Sequence, residues 1–448
     1  MLRFGTDGVR GVALTELTEQ YVADLGYAAA TVLSLQHIVI GRDTRESGLV
    51  LQTALARGFA AGGATVELLG VTPTPAIAFA AAQRGCAGAA VTASHNSYAD
   101  NGVKIFGIGG IKLTDDQEQL IEAAMAAITP QSSAVPAAAI TDSIAAITDS
   151  IAAINDYRNS IESLVPSRAF ADIRIVVDCA NGAMSDVAPY VLAQLGATVI
   201  AIHCEPNGKN INAECGATYP KIIGEAVRLH QAAIGLAFDG DGDRVIGVDH
   251  VGNIVDGDHL LALAAIDMQE RKVLDGNGVV VTVMTNAGFH EAMAKHGISV
   301  VTTPVGDRSV LIALDENNYS LGGEQSGHII YRKDATTGDG LLAGVRLVDL
   351  VRRKNVTLQK LAQDAMTSLP QVLINVRVES VATDLVTQFA QEIAAAERDL
   401  NGVGRVLLRA SGTEPLVRVM VEAQFEETAN SVAQRLAASV IKRLGGSR

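Results

Sequence analysis

The sequence predicts an α/β protein: three similar α/β domains with mixed, largely parallel sheets, then a small C-terminal α+β domain. Three observations predict it. A chain of 448 residues exceeds what one hydrophobic core supports, which points to several domains. A strand–helix–strand pattern recurs three times along it. After the third copy the texture changes to short strands separated by two long amphipathic stretches.

The first copy runs from HIVIGRDT (37–44) to GATVELLG (63–70), the second from IRIVVDCANG (173–182) to GATVIAIH (196–203), and the third from GVVVTVMTNAG (278–288) to GISVVTTP (297–304). Each opens with a β-branched run that ends in polar turn residues. A helix-like stretch follows, and a glycine opens the second run, where the end of a helix calls for a left-handed residue. Strand, helix, strand implies parallel pairing. In the last stretch QVLINVRV, GRVLLRAS and LVRVMVEA read as strands, while DLVTQFAQEIAAAERDL and EETANSVAQRLAASVIKRL read as helices. The expected domains are 1–153, 154–252, 253–368 and 369–448. Between the first two lies a tandem seven-residue unit, ITDSIAAITDSIAAI (140–154). Seven residues are close to two helical turns, so the duplication predicts one helix with Ile140, Ile144, Ile147, Ile151 and Ile154 on a single stripe.

Composition narrows the function. A formal net charge of −14 argues against broad binding to nucleic acid or anionic membrane, though not against a small anion held by converging Arg and Lys. Cys86, Cys179, Cys204 and Cys215 form no C-x-x-C pair and read as reduced thiols. MLRFGTDGVRG lacks a signal pattern, and the longest uncharged run is interrupted by Pro130 and Pro136, so the expected location is the cytoplasm.

Five stretches carry chemistry. In VTASHNSYADNGVKIFG (91–107), a strand delivers Ser94 into a loop rich in turn residues, with Lys104 beyond. That stretch alone leaves a nucleophile, a phosphate ligand and a self-satisfied turn open. FDGDGDRV (238–245) alternates Asp239, Asp241 and Asp243 with glycine. Three carboxylates brought together repel, and a hard divalent cation such as Mg²⁺ or Mn²⁺ relieves that. An EF-hand starting at Asp239 would want Gly and Glu where Arg244 and His250 stand, and a haloacid-dehalogenase motif would want Thr or Val where Asp243 stands. LGGEQSGHII (321–330) offers Glu324, Ser326 and His328, suited to sugar hydroxyls. RASGTEPLVRV (409–419) offers Arg409, Ser411, Gly412, Thr413 and Arg418, suited to a phosphate dianion. FGTDGVRG (4–11) sets Arg10 in a glycine-flanked loop. A Walker A motif is absent, as is a strand–G-x-G-x-x-G–helix unit.

In this order, FGTDGVRG, TASHN…DNGVK, DGDGDR, GGEQSGH and SGTEPLVRVMVE resemble the α-D-phosphohexomutases over essentially the whole chain. The resemblance implies four domains around a central cleft. It also implies interconversion of glucosamine 6-phosphate and glucosamine 1-phosphate through a phosphoserine enzyme and glucosamine 1,6-bisphosphate, feeding UDP-N-acetylglucosamine and cell-wall synthesis. By the same resemblance Ser94 would carry the phosphoryl group and bind Mg²⁺ with Asp239, Asp241 and Asp243. Arg10, Lys104 and Arg244 would surround it, and Lys104 or His328 would move the proton; a lysine set among arginines and a metal can have a depressed pKa. Glu324 and Ser326 would hold the sugar, and Arg409, Ser411, Gly412, Thr413 and Arg418 the non-reacting phosphate. The partner is then a small phosphosugar, with no nucleic acid or membrane and a homodimer left open. Two departures stand out: Ser97 replaces the family's usual proline after Ser-His-Asn, and Ala410 precedes Ser-Gly-Thr.

Overall fold

The computed structural model describes residues 2–128, 147–149, 151–378, 384–410 and 416–445. They divide into two compact units, Met1–Val283 with Ile298–Gln363, and Met284–Gly297 with Asp364–Arg448.

The first unit holds three sheets. Strands β1 (Phe4–Gly5), β2 (Gly8–Val12), β3 (His37–Arg42), β4 (Thr65–Val71), β5 (Ala87–Val91), β6 (Asp100–Phe106) and β7 (Ile147–Asp149) form a sheet of order β1-β2-β6-β5-β3-β4-β7. Strands β8 (Arg174–Asp178), β9 (Thr198–Ile202), β10 (Ile234–Phe238), β11 (Val245–Asp249) and β12 (Ile254–Val255) form the second, β12-β11-β10-β8-β9. The third, β14-β13-β15-β16, comprises β13 (Gly278–Thr282), β14 (Ser299–Thr303), β15 (Leu321–Gly323) and β16 (Ile329–Tyr331).

All three expected strand–helix–strand units form, with parallel pairs β3–β4, β8–β9 and β13–β14. Gly63, Gly196 and Gly297 end their connecting helices at φ 97°, 97° and 65°, the left-handed conformation their positions called for. Both faces of β3 are covered: Ile38 and Ile40 join one core with Leu51, Leu55 and Phe59, while Val39 joins another with Ile77 and Ala81. Two-sided burial explains why such strands read as continuous apolar runs.

The repeat extends further than the sequence suggested. After each parallel pair a second helix leads to a third parallel strand, which then turns back into an antiparallel one: β5 into β6, β10 into β11, β15 into β16. The Ser94, aspartate and Glu324–His328 loops occupy this same hairpin position in the three copies.

The duplicated segment departs from expectation. Ile147–Asp149 is an edge strand, parallel to β4 with Val66 opposite Ile147, and the helix begins only at Ala152. One helical stripe through Ile147 and Ile151 is therefore wrong. The open edge of β4 offers backbone hydrogen bonds that outweigh the weak helical preference of an Ile-Thr-Asp run. Ile151 is 77% exposed; Ile140 and Ile144 lie outside the described residues.

The second unit contains β17 (Gln371–Arg377), β18 (Gly404–Ala410) and β19 (Leu416–Ala423) as an antiparallel sheet, β17-β19-β18. The helix Glu426–Leu444 buries Ala429, Val432, Ala433, Leu436, Ala437 and Val440 against it.

Candidate active site

Ser94 leaves β5 in the left-handed region at φ 50° and is fully buried. Its Oγ donates to Asp239 Oδ2 at 2.6 Å, and its N–H donates to Thr92 Oγ1 at 2.9 Å. Asp239, Asp241 and Asp243 follow β10, all buried, each offering an oxygen within 4.8 Å of the others. The alternating glycines permit this. A Cβ on Gly240 would meet the Ser94 carbonyl at 2.6 Å, and Gly242 sits at φ 76°.

Lys104, from β6, is the buried counterion. Its Nζ lies 2.8 Å from Asp241 Oδ2, 2.8 Å from Asp243 Oδ2 and 2.7 Å from Asp7 Oδ2. Burial works to lower its pKa, but Asp241, Asp243 and Asp7 outweigh it and hold the ammonium well above the usual lysine value. Carboxylates outweigh the neighbouring Arg10 in setting its field. The aspartates divide. Burial and then Asp243 and Asp241 push Asp239 well above the usual carboxylate range. Burial also acts upward on Asp243, where Lys104 and His328 overcome it and hold it well below.

Asp241 Oδ1 is buried with no hydrogen-bond partner, and Asp243 Oδ1 has His328 Nδ1 and Arg244 Nε no nearer than 3.7 Å. Two buried acceptors without donors, within an all-oxygen set of three carboxylates, fit a hard divalent cation. Thr74 supports the set by donating its hydroxyl to Asp241 Oδ2 at 2.7 Å.

The Glu324–His328 loop is tied to the aspartate loop's exit. The Val245 N–H donates to the Gly327 carbonyl at 3.1 Å, and the Gly257 N–H to that of Gln325 at 3.0 Å. Glu324 is half-buried and Ser326 exposed. His328 is buried, and its Nε2 accepts the Gly338 N–H at 3.2 Å, which leaves the proton of a neutral ring on Nδ1, toward Asp243. Burial lowers this imidazole's pKa, but Asp243, Asp307 and Glu324 outweigh burial and raise it. Arg10 donates to Asp7 Oδ2 at 2.9 Å. Arg244 approaches His95 Nδ1 at 3.2 Å, and burial, with Arg244 and Arg10, pushes the His95 imidazolium down to about 4.

The structure thus brings Ser94, Lys104, Asp239, Asp241, Asp243, Arg10, Arg244, His328 and Glu324 into one neighbourhood, all within the first unit. Arg409 and Arg418 face each other across β18 and β19 in the second unit; Ser411, Gly412 and Thr413 lie outside the described residues. Sequence reasoning missed Thr74, Asp7, Arg45, Asn212 and the bridge of Lys112 to Asp7 (2.6 Å) and Asp307. Asp7 stood inside a quoted glycine loop, and Asn212 lies in a turn-rich stretch, PNGKNIN (206–212), but nothing local marks their partners.

Known relatives define the class as a phosphotransferase mutase, an isomerase. Four phosphoglucomutase/phosphomannomutase family models match the chain: alpha/beta/alpha domain I over 1–132, domain II over 154–252, domain III over 256–369 and the C-terminal domain over 373–439. A phosphoglucosamine mutase of Frankia alni is 47% identical over 99% of both chains, and one of Staphylococcus epidermidis 43% over 99% of this chain and 98% of its own. The chain belongs to the phosphoglucomutase/phosphomannomutase family, the α-D-phosphohexomutases. The fold is shared with a family member from Burkholderia thailandensis (TM-score 0.78, 22% identity, 99% of each chain). It is shared too with the N-acetylphosphoglucosamine mutase of Aspergillus fumigatus, solved with GlcNAc-6P and magnesium (TM-score 0.69, 19% identity, 98% and 95% of the two chains). No helix among the described residues is long and apolar enough to cross a membrane.

Proposed function

We propose that the chain interconverts glucosamine 6-phosphate and glucosamine 1-phosphate, with Ser94 as the phosphoryl carrier. The observation that carries this reading is the buried Ser94 Oγ, 2.6 Å from Asp239, at the edge of a three-aspartate cluster. The names of the relatives at 43% to 47% identity support the sugar. Ser94, phosphorylated, gives its phosphoryl group to O1 of glucosamine 6-phosphate; the 1,6-bisphosphate turns, and its 6-phosphoryl returns to the serine. Asp239, Asp241 and Asp243, with the serine, would hold Mg²⁺, which neutralises phosphate charge and stabilises the departing alkoxide.

The chain's own groups do the rest. Arg10 and Arg244 offer guanidiniums to the phosphoryl oxygens. Lys104 or His328 takes the proton of the attacking sugar hydroxyl, Lys104 only once a cation on Asp241 and Asp243 offsets the carboxylates that hold its ammonium. His328, with Nδ1–H toward the cluster and Nε2 engaged by Gly338, must turn or exchange partners to accept that proton. Glu324 and Ser326 orient the sugar, and Arg409, Ser411, Gly412, Thr413 and Arg418 take the other phosphate. We assign the domains 1–153, 154–252, 253–368 and 369–448 to the serine, metal, sugar and phosphate functions. The product would feed UDP-N-acetylglucosamine and cell-wall synthesis in the cytoplasm.

The test is a panel of hexose 6-phosphates in a coupled assay for the 1-phosphate, with mass spectrometry of the Ser94 peptide. Glucosamine 6-phosphate should be the preferred substrate and Ser94 the phosphorylated residue. Comparable rates on glucose, mannose and glucosamine phosphates would overturn the sugar assignment, and phosphate on another residue would overturn the carrier.

A further inference from the structure

Arg45 follows β3 and is the largest of the fully buried side chains. Its Nε donates to Asp43 Oδ2 at 2.8 Å. The rest of the guanidinium is spent on backbone carbonyls of one loop. Nη2 donates to Ser94 at 3.1 Å and Asn96 at 2.9 Å, and Nη1 to Asp100 at 2.9 Å and to Ser97. Asp43 is fixed in turn, accepting the Thr92 hydroxyl at 2.7 Å and the Arg45 N–H at 3.0 Å. Asn212, from the second sheet's domain, grips two of the same carbonyls, Ser94 at 2.8 Å and Asn96 at 3.0 Å.

Burying a cation this completely is costly, and the planar fork of arginine suits several fixed acceptors at once where the ammonium of lysine does not. Ser94 needs such a constraint. Its φ of 50° lies where a residue with a Cβ is disfavoured, so the surroundings must over-determine it. Pinning the carbonyls of Ser94 and Asn96 fixes the peptide planes that follow the serine, and with them the direction of Oγ toward Asp239.

We propose that Arg45 is the positioning residue of the phosphoryl-carrier loop, holding Ser94 left-handed so that its hydroxyl, and the phosphoryl group it carries, stay on the aspartate cluster. This rests on the reading of Ser94 as carrier. Arg45 spends its donors on Asp43 and the loop backbone, not on groups assigned to the sugar, so its loss falls on turnover rather than on substrate binding.

The experiment uses the full chain with Mg²⁺ and compares wild type, Arg45→Lys, Asp43→Asn and Thr92→Val. It measures kcat and KM for glucosamine 6-phosphate per folded molecule, with folding followed by circular dichroism. Arg45→Lys keeps the charge but loses the fork. Its kcat should fall about a hundredfold, the size that accompanies a displacement near 1 Å, with KM within about twofold of wild type. Asp43→Asn weakens the pair with Arg45 and, through the Thr92 hydroxyl it accepts, also the hold on the Ser94 N–H. It should lower kcat in the same way but less; Thr92→Val removes the second route alone and is the control. A folded Arg45→Lys with wild-type kcat overturns the proposal, as does a kcat and KM that move together. Should Arg45→Lys not fold, Asp43→Asn decides by the same criteria against Thr92→Val: a larger loss of kcat in Asp43→Asn supports the proposal, and equal losses overturn it. A wild-type chain inactive on every hexose phosphate would sink the proposed function instead, so the two failures are distinguishable.

Discussion

Replacing Lys112 by methionine removes one charge from a closed circuit. Its ammonium lies 2.6 Å from Asp7 Oδ1 and also pairs with Asp307, with the side chain 10% exposed. Asp7 continues to Lys104 at 2.7 Å, Lys104 to Asp243 at 2.8 Å, Asp243 to His328 at 3.7 Å, and His328 back to Asp307 at 3.7 Å. Methionine preserves the stem and strands the carboxylates. Asp7 keeps Lys104 and Arg10, whereas Asp307 keeps only the distant imidazole among these. Breaking a buried pair costs about 3–5 kcal/mol, and the partners left to Asp7 place Lys112→Met near the lower figure, about 3 kcal/mol. That is about a hundredfold in an opening equilibrium.

The assay is amide hydrogen exchange of the helix Asp307–Asn317 at pH 7, which reads local opening in a multidomain chain without assuming two states. Asp307→Asn in the Lys112→Met background should restore most of the lost protection, giving a coupling of about 2 kcal/mol in the double-mutant cycle. The pH window has two ends. Burial lowers Lys112 and Asp307 with Asp7 raises it on balance, so its contribution is full below 10.5 and fades as pH rises through the elevated value. Asp7 feels burial upward, but Lys104 and Lys112 bring it well below 3.8. Its contribution is full above 3.8 and fades as pH falls through the depressed value. Lys112 stays charged at pH 9, so the loss in Lys112→Met should persist there. Toward pH 6 His328, 3.7 Å from Asp307 and with a raised pKa, also carries charge, and the loss should shrink. Simple additivity of the two substitutions would refute the circuit.

Three further outcomes are expected. Ser94→Ala should abolish turnover while circular dichroism and thermal unfolding stay native; wild-type rates in that variant would end the carrier assignment. Asp241→Asn should weaken the apparent affinity for Mg²⁺ measured by calorimetry, and chelation should silence the wild type until Mg²⁺ is returned; activity indifferent to chelator would exclude the metal role of the triplet. Tyr157→Phe removes a donor 2.9 Å from Asp339 Oδ1, at a cost of about 1.5–3 kcal/mol for a hydrogen bond to a charged group. Burial pushes Asp339 up to about 6 and the Tyr157 hydroxyl favours its ionised form, so the stability gap between variant and wild type should widen from pH 5 to pH 8. A gap that narrows would contradict the pairing.

What was legible in the sequence was local. Gly63, Gly196 and Gly297 announce helix ends because the backbone conformation they adopt is one few other residues accept. The aspartate triplet announces a cation because the charges lie within five residues of chain. What escaped was set by distance along the chain: Arg45 meets Ser94 across 49 positions, Asn212 across 118, and Thr74 meets Asp241 across 167. No periodicity records such pairings. The carboxylate partners of Lys104 were hidden for the same reason, since Asp7 and the triplet join it only in the fold. The duplicated ITDSIAA unit failed differently: a seven-residue period describes a helix only if no sheet edge competes for the backbone, and the edge of β4 does.

The hydrogen bonds from Val245 to Gly327 and from Gly257 to Gln325 have a mechanical consequence. They bolt the hairpin that carries Glu324 and Ser326 to the strand that leaves the aspartate loop and to the start of the helix Gly257–Glu270, so under the proposed function grip and reaction centre share one jaw. Such a jaw cannot shift its hold to suit whichever end of the sugar arrives. In the proposed cycle the bisphosphate must let go of it, rotate and be seized again in a second pose, and the near-symmetry of a hexose ring about its middle is what lets one set of fingers serve both.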